Sequence, residues 1–215
     1  ELAAAQLGAH PVYLQPNEIG IGERESAEDV TRTLACYHAV IAARVFDQQL
    51  LEQMAGVNAA PVLNMLSATD HPLQALADLL TIKQLLGEVE GKRIAFIGEA
   101  NNVARSLAEG CALLGAEFNI ASPAGFGFGR WMLGVNQVVD PTEAVDGADI
   151  VYSDVWVSMG DEDSNERREL FAPYQVNSVL MERAPNAHFE RTTVGGLGGR
   201  VAVGGLPAAE SAPGR

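Results

Sequence analysis

Residues 93–121 read RIAFIGEANNVARSLAEGCALLGAEFNIA, and this stretch decides the class of fold. The apolar run from Arg93 to Gly98 predicts a buried strand, and the stretch from Asn101 to Leu114 predicts a helix that Gly115 ends. The run from Glu117 to Ala121 predicts a second strand. A strand, a helix and a strand at this spacing indicate a βαβ unit with parallel strands.

The same alternation extends in both directions along the chain. Downstream, the patterns predict a helix over 142–145, a strand over 150–153, a helix over 166–171 and a strand or helix beginning over 179–181. Upstream, they predict a helix ending at Gly8, a strand over 10–14, a helix over 23–35, a strand over 39–46, a helix over 48–55, a strand over 61–65 and a helix over 71–86. Both halves therefore favour parallel α/β architecture.

The polar segment from Gly87 to Gly91 is flanked by glycines and is the best candidate for a domain boundary. We therefore expect an α/β protein with two doubly wound parallel-sheet domains, over 1–86 and 87–184. From Pro185 the chain is rich in Gly, Pro and Ala. Such a segment has little apolar area to offset the entropy of ordering its backbone, so a flexible tail is predicted over 185–215.

Composition narrows the classes of partner. The 215 residues are 47% hydrophobic, enough for a buried core, and 14 Lys and Arg against 28 Asp and Glu give a net charge of -14. An acidic chain repels polyanions, which disfavours nucleic acid as a partner, and no run is long and apolar enough to predict a membrane span. The two cysteines, Cys36 and Cys111, lie in apolar stretches and are expected to be buried thiols. These features predict a cytoplasmic protein.

Four groups of polar residues follow predicted strands, where ligands bind in open α/β sheets. They are Arg44, the run His71-Pro72-Leu73-Gln74, the loop from Gly98 to Val103, and the run from Asp154 to Gly160. His71 and Gln74 lie three residues apart on one helix face, and both can donate a hydrogen bond to a carbonyl oxygen.

Each group also has an ordinary structural interpretation. Arg44 alone suits a surface ion pair, His71 a helix cap, and Asp154 with Ser158 a solvated loop. The loop after Gly98 occupies the position of a dinucleotide-binding loop, but it has one glycine where that motif needs three. Nucleotide binding is therefore the weakest alternative.

Together the runs His71-Pro72-Leu73-Gln74, Asn101-Asn102-Val103 and Asp154-Val155-Trp156-Val157-Ser158-Met159-Gly160 resemble the aspartate/ornithine carbamoyltransferase family. The first run is shared across that family, whereas the other two are similar to its ornithine branch. The resemblance extends from Glu1 to about Met181. It implies two α/β domains, the first for carbamoyl phosphate and the second for the amino acid, in a homotrimer that needs no metal and no organic cofactor.

The resemblance also implies a reaction and residue roles. The side-chain amine of ornithine attacks carbamoyl phosphate, giving citrulline and phosphate in the biosynthesis or catabolism of arginine. Carbamoyl phosphate contacts Arg44, His71 and Gln74, and the first two stabilise the developing negative charge as catalytic residues. The residues implied to contact ornithine are Asn102, Asp154, Ser158 and Met159.

The chain departs from the family pattern at both ends. The family's Ser-Thr-Arg-Thr-Arg phosphate clamp should lie before Glu1, and its His-Cys-Leu-Pro motif should follow the segment from Asn186 to Phe189. We therefore expect both domains to be incomplete and the activity of this chain to be low or nil, since bidentate Arg contacts bind phosphate strongly. The alternative function is a non-catalytic remnant that keeps an amino-acid half-site as a binding or interaction module.

Overall fold

A computed structural model describes residues 1–129, 132, 134–156 and 165–191, and its contacts divide the chain into two compact units. The first unit ends at Ala68 and the second begins at Thr69. The helix that follows His71 belongs to the second unit because it packs there. The predicted domain ranges, 1–86, 87–184 and 185–215, are not tested by this division and stay predictions.

The first unit has a small parallel sheet. Its elements are α1 (Leu2–Gln6), α2 (Pro16–Ile19), α3 (Ala27–Ala35), β1 (Ile41–Arg44), α4 (Gln48–Gly56) and β2 (Val62–Leu66). Ala27, Ile41 and Met54 form its buried core, and β1 pairs with β2 in parallel. Ser26 and Asp47 cap α3 and α4 by accepting backbone N–H bonds, which is why these helices begin where they do.

The second unit has a five-stranded sheet. Its elements are α5 (Pro72–Leu86), β3 (Arg93–Ile97), α6 (Asn102–Leu114), β4 (Glu117–Ala121), β5 (Val135–Val138), α7 (Pro141–Val145), β6 (Ile150–Ser153), α8 (Asn165–Phe171), a 3-10 turn (Ala172–Tyr174), α9 (Ser178–Met181) and β7 (His188–Arg191). The strands lie in the order β5-β4-β3-β6-β7, and every pair is parallel. The prediction of parallel α/β architecture is confirmed.

The sheet of the second unit has an apolar layer on each face. Side chains of α5 and α6 pack with Ile94 and Phe96 on one face, whereas α7 and α9 pack with Ile97 and Val151 on the other. The two helices of the first layer approach closely, because a Cβ at Gly110 would lie 2.5 Å from Leu79 Cδ1. This arrangement of helices on both faces is a doubly wound sheet.

Three local predictions are wrong. Residues 10–14 form no strand, and Val12 and Tyr13 are exposed, so β-prone residues there have neither a neighbouring strand nor a core to bury them. Cys36 is exposed rather than buried, because it lies just past the end of α3 and outside its buried face, whereas Cys111 is buried as predicted.

The third correction concerns the predicted tail. Residues 188–191 form β7, which pairs with β6, so order continues beyond Pro185. Residues 192–215 lie outside the described part of the chain. The strand β5 was also absent from the prediction, because the short sequence VNQV has no apolar run. Among the described residues, no helix has the length and apolar character to cross a membrane.

The core of the second unit gives a stability prediction. Leu107 and Leu113 both lie on α6, but Leu107 is fully buried whereas Leu113 is 87% exposed. Leu107→Ala is expected to lower the free energy of unfolding by about 2–4 kcal/mol, because it removes buried apolar area and leaves a cavity. Leu113→Ala is the matched control, with an expected change within about 0.5 kcal/mol. Equal losses in urea unfolding would contradict this packing.

Candidate functional site

The strand order creates a switch point in the second unit. From β3 the chain adds β4 and β5 on one side, and it then returns to add β6 and β7 on the other. In open parallel sheets, ligands bind outside the carboxyl ends of the two strands at such a point. Here those ends lead into the loop from Gly98 to Asn101 and the loop from Asp154 to Trp156.

A hydrogen bond connects the two loops at the switch point. Asn101 Nδ2 donates to Asp154 Oδ2 at 2.7 Å. The other amide atom, Asn101 Oδ1, accepts from the backbone N–H groups of Val103 and Ala104 at 3.1 and 3.0 Å, and so caps α6. Asp154 is therefore held beside the N-terminus of a 13-residue helix by Asn101, for which the sequence analysis predicted no contact of its own.

The residues predicted to contact an amino acid fall in this region as far as the structure describes them. Asn102 is the first residue of α6, and Asp154 is the first residue after β6; both are half-buried. Ser158 and Met159 lie outside the described residues. The strand-end prediction therefore holds for the locations of Asn102 and Asp154, and their roles stay predictions.

Arg167 holds the same two loops from α8. Its guanidinium pairs with the Glu99 carboxylate after β3, and its Nε donates to the Trp156 carbonyl after β6 at 2.5 Å. The guanidinium carbon also lies 5.1 Å from the ring centre of Phe171 and 5.5 Å from that of Phe126, within the range of cation–π contacts. Sequence reasoning missed Arg167, because an arginine in the charged run NERRELF carries no local signal.

His71 and Gln74 begin α5, as the sequence predicted. The His71 backbone N–H donates to Ser106 Oγ at 2.8 Å, which ties the start of α5 to α6, and its imidazole makes no capping hydrogen bond. His71 is thus the N-cap residue of α5 by position, as the capping interpretation expected, but its side chain does not cap the helix. Gln74 Nε2 donates to Asp78 Oδ1 at 2.8 Å, one helical turn further on. Within the described ranges, no three or more His, Cys, Asp or Glu side chains lie together in a group that could hold a metal ion.

Asp78 belongs to a buried pair of carboxyl groups that the sequence did not predict. Its Oδ2 accepts from the Tyr152 hydroxyl at 2.9 Å, and Glu190 lies opposite Tyr152 in the register of β6 and β7. Burial raises the pKa of Asp78 to about 6, although the hydrogen bonds from Gln74 and Tyr152 oppose that shift. Burial and the Asp78 charge raise the pKa of Glu190 to about 8. At neutral pH the pair therefore holds one proton, and the hydrogen bonds that both Asp78 oxygens accept favour the charge on Asp78 and the proton on Glu190.

Arg44 lies in the first unit at the end of β1, as predicted. It is exposed, and it pairs with Leu66 across the parallel sheet at an irregularity in the register after Ala43. The position is the carboxyl end of a strand, which is the edge at which open parallel sheets generally bind ligands, and the role of Arg44 stays a prediction.

Taken separately, each unit is an α/β fold of the class that binds small molecules at the carboxyl ends of parallel strands. Two domain models of one family match the chain. Residues 1–84 match the carbamoyl-P binding domain of aspartate/ornithine carbamoyltransferase. Residues 90–189 match the Asp/Orn binding domain of the same family. The chain belongs to the aspartate/ornithine carbamoyltransferase family.

Individual relatives agree with this assignment. The chain is 39% identical over 200 residues to ornithine carbamoyltransferase from Methanocaldococcus jannaschii, covering 86% of this chain and 65% of that protein. It is 43% identical over 204 residues to the ornithine carbamoyltransferase of Methanothermobacter thermautotrophicus, covering 88% of this chain and 67% of the relative. The structure of ornithine carbamoyltransferase from Pyrococcus furiosus matches with a TM-score of 0.86 at 35% identity, over 93% of this chain and 68% of that one. The chain thus spans about two thirds of the length of these relatives.

The buried carboxyl pair predicts an unusual pH dependence of stability. The pKa of Glu190 is raised from 4.5 to about 8, so its contribution to stability is present below pH 4.5 and is lost as the pH rises through 8. Glu190→Gln, which mimics the protonated acid, is expected to raise the free energy of unfolding at pH 8 by on the order of 2–4 kcal/mol, and by much less at pH 5.

Urea unfolding at pH 5, 6.5 and 8 measures this difference. Glu182→Gln, at an exposed carboxylate of the same unit, is the matched control. Its free energy of unfolding should change with pH as that of the wild-type protein does. If the free energy of unfolding of Glu190→Gln changes with pH as that of the wild type does, Glu190 is not buried as a protonated acid.

Proposed function

We propose that this protein transfers the carbamoyl group of carbamoyl phosphate to the side-chain amine of ornithine, giving citrulline and phosphate. The observation that carries the proposal is Asp154, a carboxylate held by Asn101 at the switch point, two residues after Tyr152 on β6. Relatives named ornithine carbamoyltransferase support the choice of substrate, at up to 44% identity.

In the proposed reaction, the second unit binds ornithine. Asp154 pairs with the α-ammonium group, Asn102 binds the α-carboxylate near the N-terminus of α6, and Ser158 and Met159 complete the contacts. A helix N-terminus favours a carboxylate because its free N–H groups and its dipole present positive charge. A free ammonium and a free carboxylate are thereby both recognised, which favours ornithine over acetylated or decarboxylated analogues.

The chemical step is an acyl transfer. The uncharged side-chain nitrogen of ornithine forms a bond to the carbamoyl carbon, the C–O bond to phosphate breaks with its electron pair on the phosphate, and the proton lost by nitrogen is taken up by the phosphate product. Negative charge develops on the carbonyl oxygen and then on the leaving group. Arg44 and His71 stabilise that charge, while Gln74 orients the carbamoyl group.

The proposal extends to the setting of the enzyme. We infer a homotrimer acting in the biosynthesis or catabolism of arginine, as the family resemblance implies, with no metal or organic cofactor. Both cysteines are free thiols, which supports a reducing compartment such as the cytoplasm.

A second candidate is ornithine binding without turnover. It is favoured by one observation: the loops around Asp154 at the switch point are held by Asn101 and Arg167, which both belong to the second unit. Binding and turnover are therefore tested separately.

Turnover is tested by citrulline formation with saturating carbamoyl phosphate and ornithine. Arg44→Ala is expected to lower kcat/KM at least 100-fold, because it removes a cation from the developing charge. Arg32→Ala, which breaks an exposed ion pair with Asp29 on α3 of the same unit, is the matched control and should keep wild-type activity. No citrulline from the wild-type chain would reject turnover and leave the binding candidate.

Ornithine binding is tested by calorimetry. Asp154→Asn keeps the shape of the side chain and an acceptor for Asn101, but it removes the charge that pairs with the α-ammonium group, so affinity should fall at least tenfold. Asp146→Asn makes the same change at an exposed position before β6, at the opposite edge of the sheet, and serves as the control. If both variants bind ornithine as the wild type does, Asp154 is not the ammonium partner.

A further inference from the structure

The strongest unassigned feature is the contact between Gln74 and Asp78 on α5. Residues four apart on a helix lie on the same face, and here Gln74 Nε2 donates to Asp78 Oδ1 at 2.8 Å. Gln74 is half-buried, whereas Asp78 is 1% exposed. Gln74 is therefore the more accessible residue of the two, and the buried Asp78 carboxylate binds its amide nitrogen from the protein interior.

Asp78 is itself fixed from the sheet. Its second oxygen accepts from the Tyr152 hydroxyl at 2.9 Å, and the Tyr152 ring stacks on Phe96 with ring centres 5.3 Å apart and planes inclined by 16°. Tyr152 and Phe96 are fully buried, on the two strands that flank the switch point. The carboxylate thus joins α5 to β6, and it cannot turn without breaking its hydrogen bond to Gln74 or its buried hydrogen bond to Tyr152.

This geometry determines which atom of the Gln74 amide is free for a ligand. An ionised carboxylate only accepts hydrogen bonds, so the amide nitrogen must face Asp78. Across the described residues, no hydrogen bond to Gln74 Oε1 is found. The amide therefore offers an acceptor oxygen, whereas sequence reasoning treated Gln74 as a donor to a carbonyl group.

We propose that Asp78 is a positioning residue, which orients the Gln74 amide so that Oε1 accepts a hydrogen bond from the amino group of carbamoyl phosphate. The inference rests on the proposed function for the identity of the ligand. A carbamoyl amino group donates hydrogen bonds and therefore needs an acceptor. Because Asp78 binds the amide nitrogen of Gln74, the amide atom that faces the ligand is the acceptor Oε1.

The cost of burying Asp78 supports a role beyond stability. Its charge lies near Glu190, Asp154 and the thiol of Cys111, and none of these groups is a cation that would offset burial. An apolar residue would pack there without that penalty. Asp78 is thus a residue that is costly to bury, and its two oxygens hold the Gln74 and Tyr152 side chains in place.

The first arm of the test is spectroscopic and needs no activity. The protein is labelled with 15N-glutamine, and its side-chain amide signals are recorded by NMR. The signals of Gln74 are assigned as those that are missing from the spectrum of Gln74→Leu. In the wild type at pH 7.5 we expect slow hydrogen exchange of the N–H bound to Asp78. Asp78→Asn, which keeps the volume but not the charge, and Asp78→Ala, which removes the acceptor, should speed that exchange at least tenfold. Glu190→Gln, the neighbouring buried carboxyl, is the control and should leave it unchanged.

The wild-type protein provides a measurement that does not depend on a folded variant. Acidification from pH 8 to pH 5 should move the Gln74 amide signals as Asp78 takes up a proton and loses its charge. The charged and titratable groups around Asp78 are Tyr152 and Asp154 from β6 and its loop, Glu190 from β7 and Cys111 from α6. Glu190 is already protonated in the range where Asp78 titrates, so Glu190→Gln removes no charge there and should leave the midpoint unchanged.

The second arm measures the affinity for carbamoyl phosphate by calorimetry. Asp78→Asn is expected to weaken binding at least tenfold, Asp78→Ala further, and Glu190→Gln not at all. If Asp78 acts through Gln74, adding either Asp78 substitution to Gln74→Leu should cost nothing more, whereas a general structural effect would add to it.

The outcomes separate this inference from the proposed function. Unchanged Gln74 amide exchange in both Asp78 variants, or fully additive losses of affinity, would overturn the positioning role even in an active enzyme. A wild-type protein that does not bind carbamoyl phosphate would overturn the ligand assignment and the proposed function together, while fast exchange in the Asp78 variants would still support the orientation of the amide.

Discussion

The parallel pairing of β3 with both β4 and β6 is the constraint on which the second unit depends. Because the chain leaves β3 for α6 on one face and returns through β6 to α9 on the other, the loops after these strands meet at one edge of the sheet. The Asn101–Asp154 hydrogen bond joins the loops there, and the capping of α6 by the same asparagine fixes that bond to a rigid helix.

The polar network below that edge extends the same constraint into the core. Asp78, Tyr152 and Glu190 are buried beside an apolar layer that includes Phe96 and Leu107. Two carboxyl groups in such a place cannot both be ionised without a large cost, so one of them keeps a proton. The hydrogen bond from Tyr152 to Asp78 also ties the second turn of α5 to β6.

Hydrophobic periodicity was enough to predict most of the fold. Residues 93–121 form the predicted strand, helix and strand, and Gly115 ends the helix in the left-handed conformation. The prediction failed where long-range pairing decides the structure. Residues 10–14 are β-prone but have no partner strand, whereas 188–191 become a strand because β6 offers an open edge.

The same distinction applies to the candidate site. Asp154 and Asn102 were predictable because strand ends and helix starts are local features that topology gathers at one edge. Asp78 was not, because its partner Tyr152 is 74 residues away in sequence. Arg167 was missed for the same reason, since Glu99 is 68 residues away. Sequence patterns thus identified candidate site residues at the ends of strands and the starts of helices. The residues that hold them in place, Asp78 and Arg167, became visible only in the tertiary structure.

At Gln74, the tertiary structure changes which hydrogen-bonding atom the side chain offers to a ligand. From spacing alone, His71 and Gln74 are two equivalent donors, which would match the carbonyl oxygen of a carbamoyl group and leave its amino group without an acceptor. With Gln74 Nε2 bound to Asp78, the same two positions supply different atoms: a ring nitrogen from His71 and an acceptor oxygen from Gln74. A carbamoyl group presents an acceptor and a donor side by side, so a helix that offers one partner of each kind distinguishes it from a carboxylate or a phosphate, which offer only acceptors. In the proposed site, selectivity for the carbamoyl end of the substrate therefore originates in a buried carboxylate that the substrate does not touch.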